Sequence, residues 1–110
     1  TPVRLNFSQD DNKSVLSLSG RFTLEDKTQF NNFLSQQLPA RGDVLCIDVR
    51  ELEYIDSAGI GDLIKLKMEA GKSYSRIYIV GLRDGVERVF RVSGLIQLFD
   101  LLSEEEFLKL

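Results

Sequence analysis

A chain of 110 residues, 43% apolar and 28% charged, has the makeup of one folded domain with a modest core, and it lacks the low hydrophobicity and one-sided charge of a disordered segment. Its net charge is -3, with 14 basic residues scattered among 17 acids, so no basic face for nucleic acid is expected. Histidine is absent, which removes the commonest general base and metal ligand; serine–histidine hydrolysis and ordinary zinc sites drop out, and neither metal nor cofactor is expected.

Val3, Leu5 and Phe7 alternate with Arg4, Asn6 and Ser8, the pattern of a half-buried strand. Polar residues Gln9 to Lys13 form a turn into a second strand, Val15 to Gly20, and so short a loop makes the pair antiparallel. Thr23, with Asp26 three residues on, predicts a capped helix start. That helix would bury Leu24, Phe30, Phe33, Leu34 and Leu38 and end at Pro39 and Gly42.

Val44 to Val49 is nearly continuous apolar sequence, expected as a central strand covered on both faces. Cys46 lies within it and reads as a small buried hydrophobe; a lone cysteine allows no disulfide within the chain. Arg50 to Asp56 reads as a connection, and Ser57 to Ala70 as a helix with Ile60, Leu63, Ile64 and Met68 toward the core and Gly71 as its stop. A further strand, Arg76 to Leu82, precedes a helix opened by a capping pattern at Asp84 to Glu87, bearing Val86, Val89 and Phe90 and ended by Gly94. Leu95 to Leu102 holds a short last strand, and Ser103 caps a last helix with Phe107 and Leu110, its Glu104 to Glu106 run favouring the helix dipole.

The predicted order is β-β-α-β-α-β-α-β-α in a single domain, residues 1–110. It is an α/β fold with a mixed, mostly parallel sheet of four to five strands joined by right-handed crossovers. No apolar run is long enough to cross a bilayer and no signal-peptide pattern opens the chain, so a cytoplasmic location without membrane contact is expected. The start at Thr1 and the apolar end at Leu110 fit a processed protein or a piece of a longer one.

The segment Asp56-Ser57-Ala58-Gly59-Ile60-Gly61 leaves a buried strand and enters a helix with two glycines in its first turn. Glycine there costs up to about 1 kcal/mol against alanine. Asp56 or Ser57 serves as N-cap, and the glycines permit close backbone approach. The spacing fits neither phosphate-loop pattern, and Asp56 would repel an anion. A serine at a helix start is, however, open to phosphorylation.

On these residues the chain resembles the STAS domain family of anti-sigma-factor antagonists. The likeness rests on Ile47-Asp48-Val49 followed by Asp56-Ser57-Ala58-Gly59-Ile60-Gly61, on Leu18 to Phe22, and on Val86 to Leu95 ending in Ser93-Gly94-Leu95, so it spans nearly the whole chain. It implies a mixed sheet with helices packed on one side. It also implies a regulator, not an enzyme, that binds a serine kinase acting as an anti-sigma factor through a loop of Asp56, Ser57, Ala58, Gly59, Ile60 and Gly61, is phosphorylated at Ser57 and is reset by a serine phosphatase. Weak self-association is a further contact to expect. Many regulated antagonists carry Ser or Thr where this chain has Ala58, which leaves open an unphosphorylated branch serving as a scaffold or interaction domain of a larger sensor or transport assembly. An enzyme and a nucleotide-binding module are rivals; without a histidine or an evident lysine base, Asp56 and Ser57 support activated-nucleophile chemistry poorly.

Overall fold

Alternating apolar residues put β1 (Arg4–Asp10) and β2 (Lys13–Phe22) into an antiparallel hairpin that pairs Leu5 with Leu18 and Phe7 with Leu16. The computed structural model describes residues 1–11, 13–38 and 42–110. From β2 onward, strands alternate with helices: α1 (Lys27–Gln36), β3 (Gly42–Ile55), α2 (Ser57–Ala70), β4 (Tyr74–Val80), α3 (Asp84–Val92), β5 (Asp100–Leu102) and α4 (Glu104–Leu108). The sheet has five strands in sequence order, antiparallel between β1 and β2 and parallel thereafter. This is the expected α/β architecture. Its main core joins Leu16, Leu18 and Phe22 of β2 to Leu45 and Ile47 of β3, Phe30 of α1, Leu63 and Leu66 of α2 and Phe90 of α3.

Two of the three predicted capping patterns close as written. Thr23 and Asp26 form a reciprocal capping box, here on a single 3-10 turn, Leu24–Asp26, that leads into α1; Ser103 and Glu106 form another on α4. The third does not: Arg83 occupies the cap position of α3 without a side-chain bond, and Asp84 takes a left-handed φ of 52°. Leu24, placed by the sequence on the buried face of the first helix, is 63% exposed because the tight turn points it away. Helix α1 ends at Gln36, and Gly42 already begins β3; Asn12, in the expected hairpin tip, and Pro39, the expected helix stop, lie outside the described residues. Gly94 ends α3 with the left-handed φ of 80° expected of a glycine stop.

Of the expected connection from Arg50 to Asp56, all but Asp56 is instead the second half of β3. Between Ser17 and Ser19 of β2, β3 advances from Asp48 to Glu51, and between Gly20 and Arg21 it advances from Leu52 to Tyr54. Each step inserts one extra residue, a bulge, and each shifts the inward face by one. Inward residues therefore fall at Leu45, Ile47 and Val49, then at Leu52 and Ile55, a spacing that alternation cannot detect.

Helices α1, α2 and α3 cover one face of the sheet. The short α4 covers part of the other, a departure from helices on one side only: Phe107 clusters with Cys46 and Val80, which alternate with Leu45, Ile47 and Ile79 of the main core. Lys13 Nζ and the Arg50 guanidinium carbon each lie over the Phe107 ring, 5.3 Å from its centroid. Asp48 grips Arg50 through Nε at 3.0 Å and Nη2 at 2.9 Å, and this hydrogen bonding holds the guanidinium above its ordinary value.

Cys46 is fully buried beneath this cover, and burial pushes its thiol up to about 11. Phe107→Ala removes the one buried anchor of α4. We expect Cys46 to react with a disulfide reagent at pH 8 at least tenfold faster in that variant. Unfolding should remain cooperative, with a loss no larger than the about 3–5 kcal/mol typical of a core phenylalanine.

Candidate functional site

Strands β2, β3 and β4 are parallel, so their C-terminal ends meet at one end of the sheet, the usual place for ligand or partner contacts in α/β folds. Phe22 and Ile55 finish β2 and β3 side by side, and the Asp56 amide donates to the Phe22 carbonyl oxygen at 3.2 Å. Asp56 then acts in two directions. Its Oδ1 accepts from the Gly59 amide at 2.9 Å, capping α2, and its Oδ2 accepts from the Leu24 amide at 3.1 Å, holding the 3-10 turn against the start of α2. With both oxygens taken by amides, Asp56 is a clamp between two helix starts.

Gly59 explains why the clamp closes. A Cβ at this position would lie 2.7 Å from the Phe22 carbonyl oxygen and 2.8 Å from Ile55 Cγ1, distances that no side chain tolerates. Only glycine lets α2 rest this closely on the ends of β2 and β3. Gly61 differs: a Cβ there would meet nothing within 4 Å, so the close-approach reading holds inside the domain for Gly59 and fails for Gly61.

Ser57 is the first residue of α2 and is exposed, and its hydroxyl makes no hydrogen bond among the described residues. Ala58 and Ile60 are half-buried, Ile60 packing on the main core. Asp62, close to Ser57 in sequence, adds no exposed negative charge: it is buried and paired with Lys27 Nζ at 2.8 Å, tying α1 to α2. Arg21 stacks over the Tyr54 ring, 4.2 Å from its centroid, on the sheet face away from Phe22 and Ile55. Among the described residues no three Cys, Asp or Glu side chains gather as metal donors. A polar cleft of about 460 Å³, lined by Tyr74, Gln97 and Asp100, lies at the opposite end of β4.

The reading of α2 as turning Ile64 and Met68 to the core is corrected: Leu63, Leu66 and Ala70 fill the inward side, leaving Ile64 36% and Met68 69% exposed. Ser57, Gly61, Ile64 and Met68, spaced by four, three and four residues, share the outward side. The signal was present in the sequence, because Leu63, Leu66 and Ala70 already define an apolar stripe that excludes them.

Residues 5–103 match the family model described as "Mlab, STAS domain", and the chain belongs to the STAS domain family. Among curated proteins it is similar to the anti-sigma-B factor antagonists of Listeria monocytogenes and Listeria innocua, each 31% identical over 64 residues that cover 58% of this chain and 56% of the relative. The match thus spans little more than half the length of those relatives. Among solved structures, an anti-sigma factor antagonist from Mycobacterium paratuberculosis superposes with a TM-score of 0.78 at 21% identity, covering 90% of this chain and 84% of that one. The anti-sigma factor antagonist SpoIIAA in its unphosphorylated form gives 0.74 at 18% identity, covering 96% and 93%. These structural likenesses establish the fold. No helix among the described residues is long and apolar enough to cross a membrane.

Two substitutions test the clamp. Gly59→Ala should destabilise the domain by about 2 kcal/mol or more, the overpacking cost of a contact with fixed backbone, read as a lower urea midpoint. Asp56→Ala should cost about 1–2 kcal/mol as a lost cap, and backbone amide exchange at Leu24 as well as Gly59 should speed up.

Proposed function

We propose that this domain is an anti-sigma-factor-antagonist-like partner switch, in which Ser57 is the phosphoacceptor for a serine kinase that is also the binding partner. The exposed Ser57 hydroxyl, at the first position of a helix whose start is fixed by Asp56 and Gly59, carries this reading. Transfer forms a bond from Ser57 Oγ to the γ-phosphorus of ATP, releases ADP and gives up the hydroxyl proton. Curated relatives named as anti-sigma-B factor antagonists, and a SpoIIAA structure in the phosphorylated form with a TM-score of 0.60, support it.

The switch would work at the interface, leaving the fold intact. A phosphoserine brings about -1.5 to -2 charge. Asp56 takes the Gly59 amide, but the amides of Ser57 and Ala58 make no hydrogen bond among the described residues and sit at the positive end of α2. They can offset the phosphate while it stays in water. A partner closing over Ser57 would strip that water, at a cost of several kcal/mol. At about 1.4 kcal/mol per tenfold, this is enough to release it. A phosphatase would restore the hydroxyl.

A second reading is an unphosphorylated STAS domain docked in a larger assembly; the match to the "Mlab, STAS domain" model favours it. Incubating the purified domain with ATP and extract of its native cells separates the two. The switch requires phosphate on Ser57, none on Ser57→Ala, and at least tenfold weaker kinase binding by Ser57→Asp with unchanged circular dichroism. Full labelling of Ser57→Ala, or no labelling of the parent, would reject it.

A further inference from the structure

We propose that the free edge of β1 is a docking surface for a second copy of this chain, the two β1 strands pairing antiparallel about a two-fold axis at Phe7. The surface involves no residue of α2, so it does not rest on the proposed switch at Ser57. The two edges of the sheet are unequal. At one, β5 is blunted by its length of three residues. At the other, β1 offers seven residues, Arg4–Asp10, and among the described residues it pairs with β2 alone. Between its charged ends it carries none of the usual edge protections. There is no proline, no bulge in a register that runs unbroken from Arg4 opposite Ser19 to Asp10 opposite Lys13, and no charge from Leu5 to Gln9.

The flanking surface also lacks charge. Leu5 and Phe7 are only half-buried, and Phe7 meets Phe33 of α1 edge-on, their ring centroids 5.7 Å apart. A groove of about 530 Å³ adjoins them, lined by Leu5, Gln29, Asn32, Phe33 and Gln36. No residue from Thr28 to Leu38 is charged, in a chain that is 28% charged, and Lys27 at the start of α1 is engaged by Asp62. Solvated helix faces usually carry charge, and its depletion is the compositional mark of an interface centre. The charges at the ends of β1 select the occupant. Paired antiparallel about Phe7, the strand matches its whole length against itself, with Arg4 opposite Asp10 of the second copy and Asn6 opposite Ser8. A parallel pairing would instead set Arg4 on Arg4 and Asp10 on Asp10, which repel. Arg4 and Asp10 make no ion pair among the described residues, and Asp10 borders a cleft with Asp11, Asp43 and Lys13 in which negative charge is in excess. The two Phe7 rings meet at the axis on the helix side and close the half-buried apolar strip, and the contact is isologous.

The test is a charge swap read by sedimentation velocity over a concentration series. The parent should form a dimer whose fraction rises with concentration. Arg4→Asp and Asp10→Arg each set like charges against one another at both ends of the paired strands. Each should weaken dimerisation at least tenfold and leave circular dichroism unchanged, since both side chains are exposed. Mixing the two variants restores opposite charges at both ends, as does combining the substitutions in one chain, and either should return the dimer to near the parent level. A parent that stays monomeric up to about 1 mM would overturn the proposal. So would a dimer that tolerates both single reversals, or one that neither the mixture nor the double variant restores, because each result places the contact on another surface.

Discussion

The arrangement depends on a single carboxylate held between two amides. Asp56 accepts from Gly59 on its own helix and from Leu24 on another element, so one side chain sets both the start of α2 and the place of the 3-10 turn beside it. Such a bridge works only if the two elements come within hydrogen-bond reach. Gly59 makes that possible, because the backbone of α2 lies where a Cβ would touch the Phe22 carbonyl. The capping bond and the close approach are mutually dependent: a longer residue at 59 lifts the helix, and a lifted helix takes the Gly59 amide away from Asp56.

This geometry decides what Ser57 can be. A serine at the cap position would spend its hydroxyl on a backbone amide, as Ser103 does at the start of α4. With Asp56 as the cap, Ser57 moves one position into the helix, and its hydroxyl makes no bond among the described residues. The Ser57 hydroxyl is spared because its neighbour does the structural work. Lys27 and Asp62 serve in a similar way, pinning α1 to α2 through a pair whose acid is buried, so that Asp62 adds no exposed negative charge near Ser57.

Much of this was legible in the sequence, and the failures have common physical causes. Local chemistry read well at two of three capping patterns: the boxes at Thr23 and Ser103 close as expected while that at Asp84 does not, and Gly94 stops α3. The second half of β3 was missed because two bulges break the period on which strand reading rests, so Leu52 and Ile55 looked like residues of a loop. Ile64 and Met68 were assigned inward because they are apolar, though burial is decided by the stripe that Leu63, Leu66 and Ala70 already occupy. The pair Gly59 and Gly61 marks the limit most clearly. In sequence they are the same residue two positions apart; only the neighbouring backbone separates one held by steric necessity from one with open space in front of it.

That separation bears on how a domain this small could carry the proposed switch. Its stability resides in the inward sides of the helices and in the sheet, where Phe22, Phe30, Leu63 and Phe90 are fully buried. The outward side of α2 contributes little to that core, so substitution or charge there changes association more than folding. A phosphate on Ser57 would meet water and the uncapped amides of the first turn, with no buried group to displace. Were Ser57 itself the cap, the same phosphate would break a bond the helix uses, and modification would weaken the start of α2. Placing the cap on Asp56 keeps the two effects apart, so the Asp–Ser order, unlike the reverse, would let the proposed switch change its surface charge and keep its shape.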